Sequence, residues 1–247
     1  MVPLKSEEDL KMLQRSGQIL GRVMKGLEKI VNPGISTLQI DRLAEELIVG
    51  EGAKPAFKGY QGFPAAICAS INEEIVHGIP GKRVLEEGDI ISLDLGVNLS
   101  GYFSDAAITL AVGKISPEVM KLIQVTREAL AEGIKKAIIG NNLSDVSHRI
   151  QSFVEGNGFS VVRQFVGHGI GKNLHEEPEI PNFGRPHQGP ILKKGMVLAI
   201  EPMVNMGSWE SEILPNGWTA VTKDRQVSAH FEHTIALTEE GPVILTG

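Results

Sequence analysis

Two aspartates, Asp94 and Asp105, flank a single turn in the stretch from Gly88 to Leu110. Ile91, Leu93 and Leu95 alternate there with Ser92 and Asp94, which gives a strand one apolar and one polar face. Asn98 and Gly101 supply turn chemistry, and an apolar run from Ala106 to Val112 returns as the second strand. A loop symmetric about Leu99 and Ser100 sets Asp94 directly opposite Asp105. Opposed side chains on antiparallel strands lie about 4.5–5.5 Å apart, and like charges there are destabilising. The hairpin alone leaves two readings open: a cation between the carboxylates, or a solvated hairpin with two surface aspartates.

Two further acids turn this balance. Gly88 and Asp94 are matched 107 residues later by Gly195 and Glu201, and Ile35-Ser36 by Leu143-Ser144 at an offset of 108. Phe103-x-Asp105 is echoed by Phe231-Glu232. Each half then reads as helix, helix, strands, with one acid near a strand end and another on its partner. Internal duplication predicts a pseudo-twofold with equivalent acids meeting at the axis. Four carboxylates converging on one cleft need cations, so the metal reading takes precedence.

Histidines complete the set of reactive groups. His168 and His175 lie in the glycine-rich segment from Val166 to Pro178, where the backbone can approach a ligand closely. His77 is pinned by Gly78 and Pro80. His148, His187 and His230 have no such context and read as surface or packing residues. His233, next to Glu232, reads as supporting a ligand rather than binding metal itself.

The elements that must position these groups are legible in outline. Ser6 and Asp9 open a helix that runs to Val31 and ends at Pro33-Gly34; Ser36 caps a second, closed by Gly50 and Gly52. Residues 53–64 read as loop and 65–70 as a short strand. Ser116-Pro117 opens a third helix to about Ile139, and Leu143-Ser144 caps a fourth. The 247 residues suffice for one large domain or two fused halves. A net charge of −6 argues against nucleic acid or an acidic membrane as the main partner. The single cysteine, Cys68, excludes an internal disulfide framework and any cysteine-rich zinc module. There is no membrane-spanning apolar run and no signal-peptide layout, so the expected location is cytoplasmic.

Asp94, Asp105, His168, Glu201 and Glu232, in that order and within Gly-His-Gly-Ile-Gly, His-Glu-x-Pro and Ile-Glu-Pro-Met contexts, resemble the methionine aminopeptidases, and in particular the compact bacterial type I enzymes. The resemblance spans residues 5–245. It implies an α+β pita-bread fold: two pseudo-symmetric halves, about 1–115 and 116–247 of a single catalytic domain, a central curved antiparallel sheet, and helices on its outer face. It also implies two divalent ions, Co²⁺, Mn²⁺, Fe²⁺ or Zn²⁺. Asp105 and Glu232 would bridge them, Asp94 would chelate one, and His168 and Glu201 would complete the other. A bridging hydroxide would attack the first peptide carbonyl, with Glu201 as general base and acid, His175 as donor to the oxyanion and His77 holding the amide nitrogen or the next residue.

Methionine specificity would rest on Tyr60, Phe63, Cys68, Leu174 and Trp218, where thioether–aromatic contacts are available. Phe57 and Leu174 depart from the common bacterial pattern, in which a cysteine and an aromatic respectively are frequent; the pair reads as a volume exchange at the pocket rim. The implied substrates are N-terminal Met peptides and nascent chains with a small second residue, this chain's own Met1-Val2 among them, with docking at the ribosome exit region and a monomeric state. The 31 residues from Glu201 to Glu232 leave no room for a type II helical insertion, and 247 residues leave none for the extra domain of Xaa-Pro aminopeptidases.

Overall fold

The computed structural model describes residues 2–247; Met1, expected as a substrate residue, lies outside them. Helices α1 (Glu7–Glu28) and α2 (Thr37–Gly50) precede strands β1 (Lys54–Pro55), β2 (Cys68–Ile71), β3 (Glu74–Val76), β4 (Ile90–Leu99) and β5 (Tyr102–Ala111). Helices α3 (Pro117–Ile134) and α4 (Leu143–Gly156) then precede β6 (Ser160–Val161), β7 (Gly167–Gly169), β8 (Glu176–Ile180), β9 (Val197–Ile200) and β10 (Met203–Asn205). The chain closes with β11 (Ser211–Ile213), β12 (Ala220–Thr222), β13 (Ser228–His230), β14 (Glu232–Thr238) and β15 (Gly241–Ile244). A nine-stranded antiparallel sheet runs β1-β4-β5-β14-β9-β7-β8, with β2 also on β4 and β15 on β14. Among the described residues no helix is long and apolar enough to cross a membrane.

Strand alternation decides which face does what. Ile91, Leu93, Leu95 and Val97 point into a core shared with α1 and α2, while Leu198, Ile200, Ile235 and Leu237 point into a second core beneath α3 and α4. The helices therefore cover one face of the sheet, and the residues between those leucines and isoleucines, Asp94 among them, look to the other. Ser6 caps α1 and Ser36 caps α2, each through a reciprocal capping box. The C-terminus locks onto this scaffold: the Leu245 carbonyl oxygen lies only 2.2 Å from where a Cβ on Gly17 of α1 would stand, so a side chain there is excluded.

Several expectations are corrected. The β4–β5 turn is the two-residue Ser100-Gly101, both with positive φ (53° and 87°), so Asp94 faces Ala107 and Asp105 faces Gly96. A two-residue hairpin turn of this kind needs positive φ at both central residues, which Gly101 adopts freely and Leu99 would resist. The two aspartates still share one face, diagonally rather than directly opposed. The strand expected from Ala65 begins at Cys68, because the Ala66 and Ile67 N–H groups donate to Asp41 (2.8 and 3.2 Å) instead of to a neighbouring strand. Residues 53–64 contain β1 and a 3-10 turn at Tyr60–Gly62. The third helix stops at Ile134, beyond which Lys136 and Ala137 donate to Gly133 and Ile134 in tighter turns. Asn142, not Leu143-Ser144, caps the fourth helix.

The pseudo-twofold becomes explicit once these positions are fixed. Ser36 bridges Val84 and Asn142 bridges Ile191; Gly88 and Gly195 share positive φ values of 97° and 83°. Asp94 is thus matched by Glu201. On the partner strands the β4–β5 and β9–β14 registers match Ala107 with Glu232, which pair with each other across the seam, and Asp105 with His230. The echo of Phe103-x-Asp105 in Phe231-Glu232 is therefore offset from the true equivalence. Two threonines repeat the relation. Thr234 Oγ1 accepts from Asp105 N (2.9 Å) and donates to Asp105 O (2.7 Å), and Thr109 Oγ1 does the same for His230 (2.8 and 2.8 Å).

Thr234→Val removes both bonds and leaves the Asp105 peptide groups buried and unpaired. The expected cost is about 2 kcal/mol, read as a lowered urea midpoint at unchanged m-value; an unaltered midpoint would show that the bracket contributes nothing.

Candidate metal centre and substrate cleft

Each acid is delivered by a strand. Asp94 comes from the middle of β4 and Asp105 from β5, Glu201 follows the end of β9, and Glu232 begins β14. β7 brings His168, whose Nδ1 donates to the Gly169 carbonyl (2.9 Å) and so leaves the Nε2 lone pair free. That Nε2 lies 3.7 Å from Glu201 Oε1 and 3.9 Å from Asp105 Oδ2. Asp105, His168 and Glu232 can each offer one ligand atom within 4.8 Å of the others, and so can Glu201, His230 and Glu232.

A cavity of about 320 Å³ opens over these groups, and its walls include all twelve residues named from the sequence for chemistry or substrate contact, together with Phe57 and Gln61. Phe63 meets Trp218 edge-on at 5.2 Å between ring centroids, and Leu174 and Cys68 are buried beside them. His77 adopts a positive φ of 60°, a backbone strain held where Phe165 packs edge-on against its ring (5.5 Å). His175 stacks 4.2 Å from His168, and its Nδ1 is 2.8 Å from the Tyr60 hydroxyl. A neutral His175 accepting from Tyr60 carries its proton on Nε2, and it is then a donor. Glu176 accepts from Lys172 N and Asn173 N and pairs with Lys5, which ties the loop bearing Leu174 and His175 to the N-terminal segment.

The sequence of metallopeptidase family M24 is matched over residues 11–239. The chain belongs to that family, in its methionine aminopeptidase group. It is 54% identical to the methionine aminopeptidase of Clostridium perfringens, with 100% of this chain and 99% of that one covered. The methionine aminopeptidase structure from Rickettsia prowazekii superposes with a TM-score of 0.99 at 37% identity, covering 100% of both chains. That from Thermotoga maritima gives 0.98 at 45% identity, covering 100% of this chain and 99% of that one. The architecture is accordingly the pita-bread fold, and the chain is a metallopeptidase.

The donor set of this M24 enzyme fits divalent metal. Among the described residues, the buried side-chain atoms without a hydrogen-bond partner include Asp94 Oδ1, Asp105 Oδ1 and Glu232 Oε1. Orphaned acceptors at that density are what a cation would satisfy. Burial pushes Asp94 up to about 7, against hydrogen bonds from Asp105 and Cys68. Burial, then the charge of Asp94, raises Asp105 well above the usual carboxylate range. Glu201 and Glu232 rise for the same reasons, burial first and neighbouring carboxylates second. Burial lowers His168 to about 3 and His77 to about 4, each helped by His175, and lowers His175 itself. The imidazoles are therefore neutral, the form in which a ring nitrogen keeps a lone pair for a metal ion or a proton donor. The Cys68 thiol is pushed well up by burial and by Asp94, which keeps it an apolar wall rather than a nucleophile.

Two placements were not read from the sequence. Tyr60, assigned only to methionine contact, also holds His175. His230, read as packing, is 1% exposed with neither ring nitrogen bonded, and its Nε2 is 3.9 Å from Glu201 Oε2. The signal for His230 was the strand register rather than any motif. His233 is bonded through Nδ1 to Thr246 (2.9 Å) and lies outside the cavity lining.

The raised carboxyl values set a pH dependence. Free of ions, the folded protein holds protons that an unfolded chain, titrating near 4, has released. That contribution is full below about pH 4 and is lost as pH rises through the folded values, from about 7 upward. Chelator-treated protein should therefore melt at lower temperature at about pH 8 than at about pH 6, and added Mn²⁺ should reverse the loss. A midpoint that rises over that interval in chelator would contradict the assignment.

Proposed function

We propose that this chain removes the N-terminal methionine from peptides and nascent proteins with a small second residue, at a pair of divalent ions. The observation that carries the reading is the convergence, in one cavity, of five ligand-type side chains from both halves beside an apolar recess. In this reading Asp105 and Glu232 would bridge the ions, Asp94 would chelate one, and His168 and Glu201 would complete the other. An oxygen-rich set with a single imidazole suits Mn²⁺, Fe²⁺ or Co²⁺ at least as well as Zn²⁺. When bound, the pair supplies Lewis acidity and lowers the pKa of water enough for attack near neutral pH.

The chain's own residues then divide the work. Phe63, Trp218, Tyr60, Leu174 and Cys68 receive the methionine side chain, the aromatics through thioether contact. His175, oriented by Tyr60, donates from Nε2 to the oxygen on which negative charge develops. Glu201 takes the proton of the attacking water and returns it to the leaving amine nitrogen. His77 holds the amide nitrogen or the next residue, and the crowding of the His77 and His175 loops restricts that residue to small side chains. The chain works as a monomer in the cytoplasm, on chains presented near the ribosome exit.

Release of methionine from a Met-Ala-Ser peptide, abolished by chelator and restored by refilling with one divalent ion at a time, tests the reading and ranks the metals. A protein that binds no stoichiometric metal and releases no methionine would sink it. His175→Ala should lower kcat by about 100-fold with metal content unchanged; an emptied site would show that His175 supports the ions instead. Phe57→Cys, which widens the rim, should raise KM for the Met-peptide about threefold or more at similar kcat, and unaltered kinetic constants would remove Phe57 from the rim.

A further inference from the structure

His230 is the buried reactive group that the proposed chemistry leaves without a task. Both of its ring nitrogens are among the six unpartnered buried side-chain atoms of the described residues, and two of the other four belong to the aspartates of the centre. Its main chain is gripped at N and O by Thr109, so the strand end on which the ring stands is fixed. Glu201 divides its carboxylate between two imidazoles: Oε1 lies 3.7 Å from His168 Nε2, and Oε2 lies 3.9 Å from His230 Nε2. Ligand atoms bound at about 2.0–2.2 Å to one ion stand roughly 3–4 Å apart, so both separations suit a shared cation. Glu201, His230 and Glu232 can each offer one ligand atom within 4.8 Å of the others. The pseudo-twofold adds an independent argument. His230 is the counterpart of Asp105, so the duplication has put a metal-binding side-chain type at both mates.

We propose that Glu201, His230 and Glu232 form a further divalent-cation subsite, adjoining the pair of ions held by Asp94, Asp105, His168, Glu201 and Glu232. One imidazole and two carboxylates select transition-type ions such as Zn²⁺ over Mg²⁺ and Ca²⁺, which prefer all-oxygen shells. Filling the subsite engages Glu201 on both oxygens and withdraws it from proton transfer. Excess metal thereby shuts the enzyme down from within its own centre. The inference rests on the two-ion reading and goes beyond it.

Zn²⁺ titration of the chelator-stripped full chain, followed by calorimetry and elemental analysis, tests this against His230→Gln. The wild type should take two equivalents and then a weaker third, with peptide cleavage falling as the third binds; His230→Gln should lose the third equivalent and the accompanying fall. Anomalous scattering from Zn²⁺-soaked wild-type crystals should give a third peak bounded by Glu201, His230 and Glu232, a readout independent of how the variant folds. Saturation at two equivalents, a third equivalent retained by His230→Gln, or a third peak elsewhere overturns the subsite and leaves the two-ion centre standing. Fewer than two equivalents overturns both.

Discussion

Mutual repulsion of buried carboxylates is the constraint around which this molecule is arranged. Asp94, Asp105, Glu201 and Glu232 line one cavity, and each is held above its ordinary pKa chiefly by burial, the last three also by the charge of neighbouring carboxylates, Asp94 among them. Among the described residues no lysine or arginine lines that cavity to neutralise them. Such a cluster survives evolution only if something positive repays the desolvation, and in an M24 chain that is metal. The hydrophobic layers serve this purpose: two helix-backed cores fix the strands, so the acids cannot relax apart.

The duplication is more than a repeated chain path. It places one acid-bearing strand pair from each half edge to edge at the β5–β14 seam, where only Glu232–Ala107 and His233–Ala106 pair directly. The rest of the seam is stitched by the Thr109 and Thr234 hydroxyls, which supply side-chain hydrogen bonds where the ladder stops. Buried hydroxyls that both accept and donate are costly to replace, and here they fix the main chain of Asp105 and of His230.

How much of this could be read beforehand depended on whether the signal was local. The caps at Ser6 and Ser36, the alternation in β4 and the ordered acids are contained in short stretches, and the structure repeats them. The hairpin register is not legible locally: Asn98 has turn chemistry, yet it pairs with Phe103 and only caps the Ser100-Gly101 turn with its side chain. The true start of the strand expected from Ala65 is likewise hidden, because nothing near it reveals that Asp41, on α2, claims the Ala66 and Ile67 amides. His230 escaped for the same reason. Its meaning lies in a register between strands far apart in sequence, and no neighbouring residue marks it.

The seating of Leu245 against Gly17 has a consequence for folding. Glu232, the last of the four acids lining the cavity, opens the strand whose continuation carries Leu245 back to the first helix. The contact joins segments that lie far apart in sequence, and such long-range closure makes for slow folding.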